Sequence, residues 1–459
     1  MPREDSFAAL RACYQATNEP ASPPVIARRA AREQSRSAIG IKAARLLRFA
    51  HNDNRGPPSL ALLSAVTALA FCGLHMVVPA LPLLVAVFDD SAARVQLVLS
   101  LYLAGIAAGP LVYGPASDLF GRRPVLIAGL AMFLAGTAVC GMAWSLPALI
   151  AGRILQALGA CAGIVLSRAI IRDVYDREAA ARGLALVMLA MSLAPAISPA
   201  FGAYLTEWFD WRAIFALLGV LGAIVFIATV VRLGETNRHR VRLNVAGVAA
   251  AHVDLLRSPA LIGFALCSAC TSASWFTFIA TAPHILSDAL HQPPSTYGLM
   301  ILLPMATYML GNAIVARFAL RIGSLRLLLY GRALAFLAAI GLAVFGSADL
   351  GIWSLFIPIA LAEIGDGMSQ PAVIAAGLSI NPRLAGMASG LMGFLQMTTA
   401  AIGSFIVALL PYDNAFGLIA VFGFFVAAAL GFGLYAVRRV SRETQPALPG
   451  VTAPVGDGN

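Results

Sequence analysis

Charge is scarce in this chain. Only 12% of its 459 residues are Asp, Glu, Lys or Arg, against 59% hydrophobic, whereas a soluble domain carries about a quarter charged residues. Most of the chain therefore needs a solvent other than water. Lysine is nearly missing, with Lys42 alone among 32 basic residues, a bias that fits genomic base composition better than function. The six cysteines offer no disulfide framework. Cys13 lies in the polar N-terminal stretch, and Cys72, Cys140, Cys161, Cys267 and Cys270 fall inside apolar runs. Cys267 and Cys270 share a helix face at i, i+3. No His or second pair accompanies them, so packing explains them better than metal or redox chemistry. Also missing are a nucleophile–base pair, a metal cluster and a phosphate-binding glycine loop, which argues against an enzyme, a bound metal or cofactor, and an ATP-driven pump. The alternating ten-residue segments of a membrane barrel do not occur either.

What is present is a series of apolar runs close to 20 residues, the length that crosses a bilayer as a helix. Twelve are predicted, at 60–86, 95–115, 124–143, 147–169, 184–205, 212–232, 259–284, 296–316, 326–346, 353–376, 385–410 and 414–437. The mean hydropathy of +0.82 agrees. The formal charge of +10 is one-sided. Ten basic residues precede span 1. The segments joining spans 2–3, 4–5, 6–7, 8–9 and 10–11, with nearby helix ends, carry 2, 4, 5, 4 and 1, and the tail after span 12 carries 3. Only Arg94 and Arg212 fall on the other side, with Arg153 inside the membrane. An even number of spans with both termini on the basic side predicts cytoplasmic termini, and makes nucleic acid a poor partner.

The expected organisation is a basic tail at 1–58, six helices at 59–232, a cytoplasmic linker at 233–258, six helices at 259–437 and a second tail at 438–459. Residues 1–58 lack the apolar core of a signal peptide. They are either disordered or, over residues 25–50, a basic amphipathic helix on anionic lipid. The span 8–9 segment Ala316-Arg-Phe-Ala-Leu-Arg-Ile-Gly-Ser-Leu-Arg326 is an eroded echo of the span 2–3 loop, as duplication would leave.

That span 2–3 loop reads Tyr113-Gly-Pro-Ala-Ser-Asp-Leu-Phe-Gly-Arg-Arg-Pro124. Span 1 ends His75-Met-Val-Val-Pro79-Ala-Leu-Pro82. Span 4 carries Arg153-Ile-Leu-Gln156-Ala-Leu-Gly159 and runs to Arg172-Asp173. Span 5 reads Ala194-Pro195-Ala-Ile-Ser-Pro199-Ala-Phe-Gly202, followed by Asp210-Trp211-Arg212. The loop, with Gly114, Asp118, Gly121, Arg122 and Arg123, resembles the span 2–3 motif of the major facilitator superfamily. The whole set, covering nearly all of 59–437, resembles its bicyclomycin- and chloramphenicol-resistance (Bcr/CflA) branch of drug–proton antiporters. Pro195, Pro199 and Gly202 match that branch's exporter motif. The resemblance implies twelve helices in two six-helix halves, alternating access, and a monomer in the inner (plasma) membrane that exchanges a small molecule for protons. Two rivals stay open: a metabolite importer or facilitator without proton coupling, and a transport-dead sensor or scaffold.

Each motif has a physical reading and a plainer one. Asp118 with Arg122 and Arg123 can latch helix ends in one of two states, or merely mark topology on a solvated turn. Pro195 and Pro199 delete helix hydrogen bonds, so span 5 either bends as the halves rock or is shaped for static packing. Ionisable groups in a span cost roughly 2.5–3.5 kcal/mol each at mid-helix and persist where water or substrate meets them. Arg153, with Gln156 on its face, either serves a cavity, where the resemblance implies proton coupling, or snorkels outward. Glu363 and Asp366 share a face of span 10 with Gln370. Two close carboxylates repel, so one should hold its proton, as a carrier needs, unless a neighbouring helix satisfies them. The resembled branch usually has an acid where this chain has His75. The expectation is that the acidic role has moved to Glu363 and Asp366, with His75 a partner across the cavity or a hydrogen-bonded lining residue. Trp275, Phe276, Tyr308, Asn312 and Gln396 are candidates for an amphiphile-binding cavity, although helix packing alone would also place aromatics at these spacings.

Overall fold

A computed structural model of the chain describes residues 58–175, 177–237, 253–348, 351–381, 384–410 and 415–444. The expectations for the N-terminal tail, for most of the linker and for the C-terminal tail past 444 fall outside these residues. The regular structure described is helical, and twelve helices are long and apolar enough to cross a membrane. They are span 1 (Leu60–Phe88), span 2 (Ala92–Pro110), span 3 (Arg122–Gly141), span 4 (Leu146–Val174), span 5 (Arg182–Trp208) and span 6 (Arg212–Arg232). Spans 7 to 12 are Pro259–Ala289, Pro294–Ile322, Ser324–Gly346, Ile352–Ile380, Gly386–Ala408 and Phe416–Val440. All twelve match expected runs, with ends moved by up to five residues in most cases.

Local sequence explains the breaks. Span 1 is helical from Leu60 to His75, makes a single 3-10 turn over Val78–Ala80, and resumes at Leu81–Phe88. Pro79 has no N–H to offer the His75 carbonyl four residues earlier, so the α-helix must end there. Gly121 lies between the helix Ala92–Phe120 and span 3 with φ 102° and ψ 154°, a conformation restricted almost entirely to glycine. That one residue lets two helices meet without a longer loop. Span 5 runs without a break through Pro195 and Pro199.

Spans 1 to 6 pack mainly on one another, as do spans 7 to 12. The two groups meet where span 2 crosses span 11 and where span 5 crosses the first turns of span 8. Three side-chain hydrogen bonds join them at the end of the bundle that holds Ser91. Gln96 donates to Ser404 at 2.7 Å, Ser100 and Ser404 hydroxyls lie 3.2 Å apart, and Ser295 donates to Glu207 at 2.9 Å. At the same end a Cβ on Gly298 would sit 2.8 Å from the Ala200 backbone, so bare backbone is what lets spans 5 and 8 touch.

Candidate functional site

The cavity lies between the two groups of spans. It measures about 330 Å³ and draws its lining from spans 1, 5, 7, 8, 10 and 11, near the small end of ligand pockets. His75, Pro195, Trp275, Phe276, Tyr308, Glu363, Asp366 and Gln370, all expected to matter, line it. Five methionines (188, 191, 305, 309 and 397) complete a wall that is soft, apolar and adaptable. Met188, near the start of span 5, is 62% exposed.

Span 10 carries the charge, and glycine contacts decide what meets it. A Cβ on Gly365 would fall 2.2 Å from the Gly331 carbonyl oxygen, and one on Gly331 would fall 2.4 Å from that of Gly365. Spans 9 and 10 therefore cross at backbone distance. The crossing brings Arg332 against Asp366, and the two form an ion pair. Arg332 also donates to the Thr271 hydroxyl at 2.6 Å. Both charged side chains are buried, as is Glu363 one turn away. Among the described residues Glu363 has no hydrogen-bond partner. The two carboxylates are thus unequal: a guanidinium pairs with Asp366, and Glu363 has no such bonded partner among the described residues.

Arg332 corrects one expectation about this region, and His75 fits one of its two open readings, the hydrogen-bonded lining residue. The charge tally counts Arg332 among the helix ends between spans 8 and 9, but it lies eight residues into the helix Ser324–Ala348 and is 1% exposed. The reason is energetic: a buried carboxylate needs a counter-charge. Its signal was available, since 332 falls inside the run predicted at 326–346. His75 is buried and lines the cavity, yet it meets no carboxylate among the described residues. Its Nδ1 lies 3.0 Å from the Phe71 carbonyl oxygen, and its ring packs on Phe276 at 6.0 Å between centroids.

Arg153 neither snorkels nor lines the cavity. It is fully buried inside the first group of helices. Its Nη1 donates to the Gly73 carbonyl at 2.7 Å and to Gln156 Oε1 at 2.5 Å, its Nε donates to the Val98 carbonyl at 3.2 Å, and the guanidinium lies 3.9 Å over the Tyr102 ring. Gln156, expected in the cavity, is instead part of this network and donates to Thr137 at 2.8 Å. Asn312 and Gln396 also leave the lining. Asn312 bonds the Tyr308 carbonyl at 3.1 Å, and Gln396 donates to Ser268, which in turn donates to Gln370 at 2.8 Å. In each case a polar side chain in an apolar bundle is held by a nearer partner.

The loop motif is built as a cluster. Arg122 pairs with Asp118 at 2.6 Å and with Asp173 of span 4 at 2.9 Å. Glu235, which sequence reasoning missed, caps the start of span 3. Its carboxylate accepts from the backbone N–H of Arg122 at 2.9 Å and of Arg123 at 3.3 Å, where the helix end favours negative charge. A Cβ on Gly121 would meet Glu235 Oε2 at 2.4 Å. Arg123 donates to the Val230 carbonyl at 3.1 Å rather than to an acid. Gly114 has open space where a Cβ would be, and nothing in its surroundings requires glycine. In span 5, Gly202 is a close-packing position, since a Cβ would lie 1.9 Å from the Met76 carbonyl oxygen.

Comparison with known proteins agrees with this architecture. The sequence profile described as Major Facilitator Superfamily matches residues 63–404. The chain is 32% identical over 399 residues to the "Chloramphenicol resistance protein" of Pseudomonas aeruginosa, covering 83% of this chain and 91% of that one. It is 26% identical over 357 residues to the "Bicyclomycin resistance protein homolog" of Haemophilus influenzae, covering 77% and 89%. Among solved structures it resembles a peptide transporter in complex with sulfate, with a TM-score of 0.70 at 16% identity, over 84% of this chain and 95% of the other.

Proposed function

This chain belongs to the Major Facilitator Superfamily of membrane transporters, and we propose that it exports small amphiphilic compounds in exchange for protons. The cavity would open alternately to the two sides of the inner (plasma) membrane, with both termini cytoplasmic, spans 1–6 and 7–12 moving as halves, and a monomer as the working unit. The observation that carries this reading is Glu363: a carboxylate buried at the edge of an apolar cavity with no bonded partner among the described residues. A group so placed is expensive to keep unless a proton or a substrate meets it there. With the Ser100–Ser404 end closed, the cavity would face the basic end of the bundle, and compounds would enter from the cytoplasm. Moving one charge down the membrane potential yields ~2.3 kcal/mol per 100 mV, enough for about fiftyfold accumulation per 100 mV.

The test uses everted membrane vesicles containing the chain, an acidified interior and a trapped pH dye. Amphenicols, bicyclomycin-like compounds, dyes and amino acids are added one at a time. Proton release triggered by a compound supports antiport and names its class. Transport of a compound without proton movement would move the reading to a facilitator.

A further inference from the structure

Bonds made away from the cavity fix what two of its polar side chains can offer to a ligand. His75 Nδ1 lies 3.0 Å from the Phe71 carbonyl oxygen, which can only accept. The ring's proton therefore sits on Nδ1, and neutral Nε2 is an acceptor. Gln370 is the counterpart. Gln396 on span 11 donates an amide N–H to the Ser268 hydroxyl, which is fully buried on span 7. That hydroxyl donates in turn to Gln370 Oε1 at 2.8 Å. A hydroxyl has one proton to give, so the bond accepted from Gln396 aims Ser268 at an oxygen and holds the Gln370 amide one way round. Gln370 lines the cavity, and its Nε2 has no hydrogen-bond partner among the described residues. Other polar groups nearby are engaged or unfixed. Thr271 donates to the Cys267 carbonyl at 2.9 Å, and Ser192 to the Met188 carbonyl at 3.1 Å. Arg168 donates to the Met191 thioether at 3.1 Å and does not itself line the cavity. The hydroxyls of Ser272 and Tyr308 can rotate to donate or accept. The Gln370 amide is thus the donor whose direction the bundle sets.

We infer that the cavity recognises compounds by a strong acceptor oxygen, such as a carbonyl or phosphoryl group on an apolar body, and that Gln370 Nε2 donates to it. Ser268 and Gln396 are positioning residues that hold the donor end of the amide towards the ligand. The inference rests on the reading of this cavity as the transport site. An apolar body without an acceptor strips water from the Gln370 N–H and leaves it unpaired, a cost that a compound with an acceptor avoids. The relay joins spans 7, 10 and 11 through one buried hydroxyl, so losing any member frees the amide to turn. With its oxygen towards the cavity, Gln370 would join His75 Nε2 as an acceptor and favour ligands that donate.

The probes share one neutral body. Triphenylphosphine oxide carries a strong acceptor, triphenylphosphine sulfide a weak one, and triphenylsilanol donates an O–H. Binding is measured to the purified full chain in detergent, and each variant is compared with wild type probe by probe, so that partition into detergent cancels. Gln370→Leu should weaken the oxide roughly tenfold and leave the sulfide unchanged or tighter, which also shows the cavity intact. Ser268→Ala and Gln396→Met keep Gln370 but release its amide. They should weaken the oxide less than Gln370→Leu does and strengthen the silanol, a gain that a packing defect does not produce. Should Gln370→Leu fail to fold, Gln370→Met takes its place. Oxide binding kept in these Gln370 variants, all three probes weakened alike, or no binding of any probe to the wild-type chain overturns the inference. Oxide binding lost in Gln370→Leu but unchanged in both Ser268→Ala and Gln396→Met overturns the positioning roles. In everted vesicles, proton release by the sulfide as readily as by the oxide overturns the acceptor class and leaves antiport standing. Selective oxide binding without proton release overturns antiport and leaves the acceptor class.

Discussion

Replacing Gly298 should open the seal without damaging either group of helices. The position lies in the helical turn Pro294–Met300, where a Cβ would fall 2.8 Å from Ala200 Cα, 3.0 Å from Ala203 Cβ and 3.3 Å from the Pro199 carbonyl oxygen. Carbon atoms prefer roughly 3.5–4.0 Å, so alanine forces the crossing apart by about 0.7 Å and valine by more. Two effects compete. A helical Gly→Ala change gains ~1 kcal/mol of propensity, but this accrues in the sealed and open states alike and cancels. The clash exists only where spans 5 and 8 meet. Overpacking typically costs ~1–3 kcal/mol, which shifts a two-state equilibrium by roughly 5–150-fold. The assay is labelling of Ser100→Cys by a membrane-impermeant maleimide, in a background without the six native cysteines. Ser100 is buried beside Ser404 in the sealed form. Labelling should rise from wild type through Gly298→Ala to Gly298→Val. The control is Gly202→Ala, whose clash with the Met76 carbonyl lies inside one group of helices. It should lower thermal stability with no rise in labelling. Wild-type labelling of Gly298→Val, or equal labelling of both sites' variants, would refute the reasoning.

Two further outcomes are expected. Gly121→Ala places a side chain in glycine-only backbone space and against Glu235, so it should cost about 1–3 kcal/mol, seen as a lower melting temperature of the purified protein. Glu235→Gln, which leaves that backbone unstrained, should cost less. Arg153→Lys keeps the charge but loses the planar fork that reaches Gly73, Val98 and Gln156 and stacks on Tyr102. It should destabilise the chain by a few kcal/mol, roughly that of breaking a buried charge's contacts, seen as a lower melting temperature of the purified protein.

The parts legible in the sequence were those that local chemistry determines. Twelve spans follow from run length, whereas the break of span 1 after His75, inside a run predicted to be continuous over 60–86, needed the structure to show it. The Asp118–Arg122 pair is one helical turn, with both partners in view. Contacts across long sequence distances were harder. Glu235 reaches Arg122 from 113 residues away, and nothing near either residue announces it. Gln156 shares a face with Arg153, and a face can turn inward to its own bundle as readily as to a cavity. Tyr102 and the carbonyls of Gly73 and Val98 decided that. Arg332 was legible too, because a charge six positions inside a predicted span is as expensive in the membrane as Arg153 is in span 4. Its pairing is what separates Glu363 from Asp366, a distinction that spacing alone could not draw.

The most direct test of Glu363 as the proton carrier compares two assays of one variant. Proteoliposomes with Glu363→Gln are given a neutral compound that the wild-type chain exports. Uphill transport driven by a pH gradient is measured beside exchange of labelled for unlabelled compound with no gradient. The account predicts that uphill transport is lost and exchange is kept, since the two halves still alternate around a cavity that no longer needs a proton. Uphill transport retained at the wild-type level would contradict it.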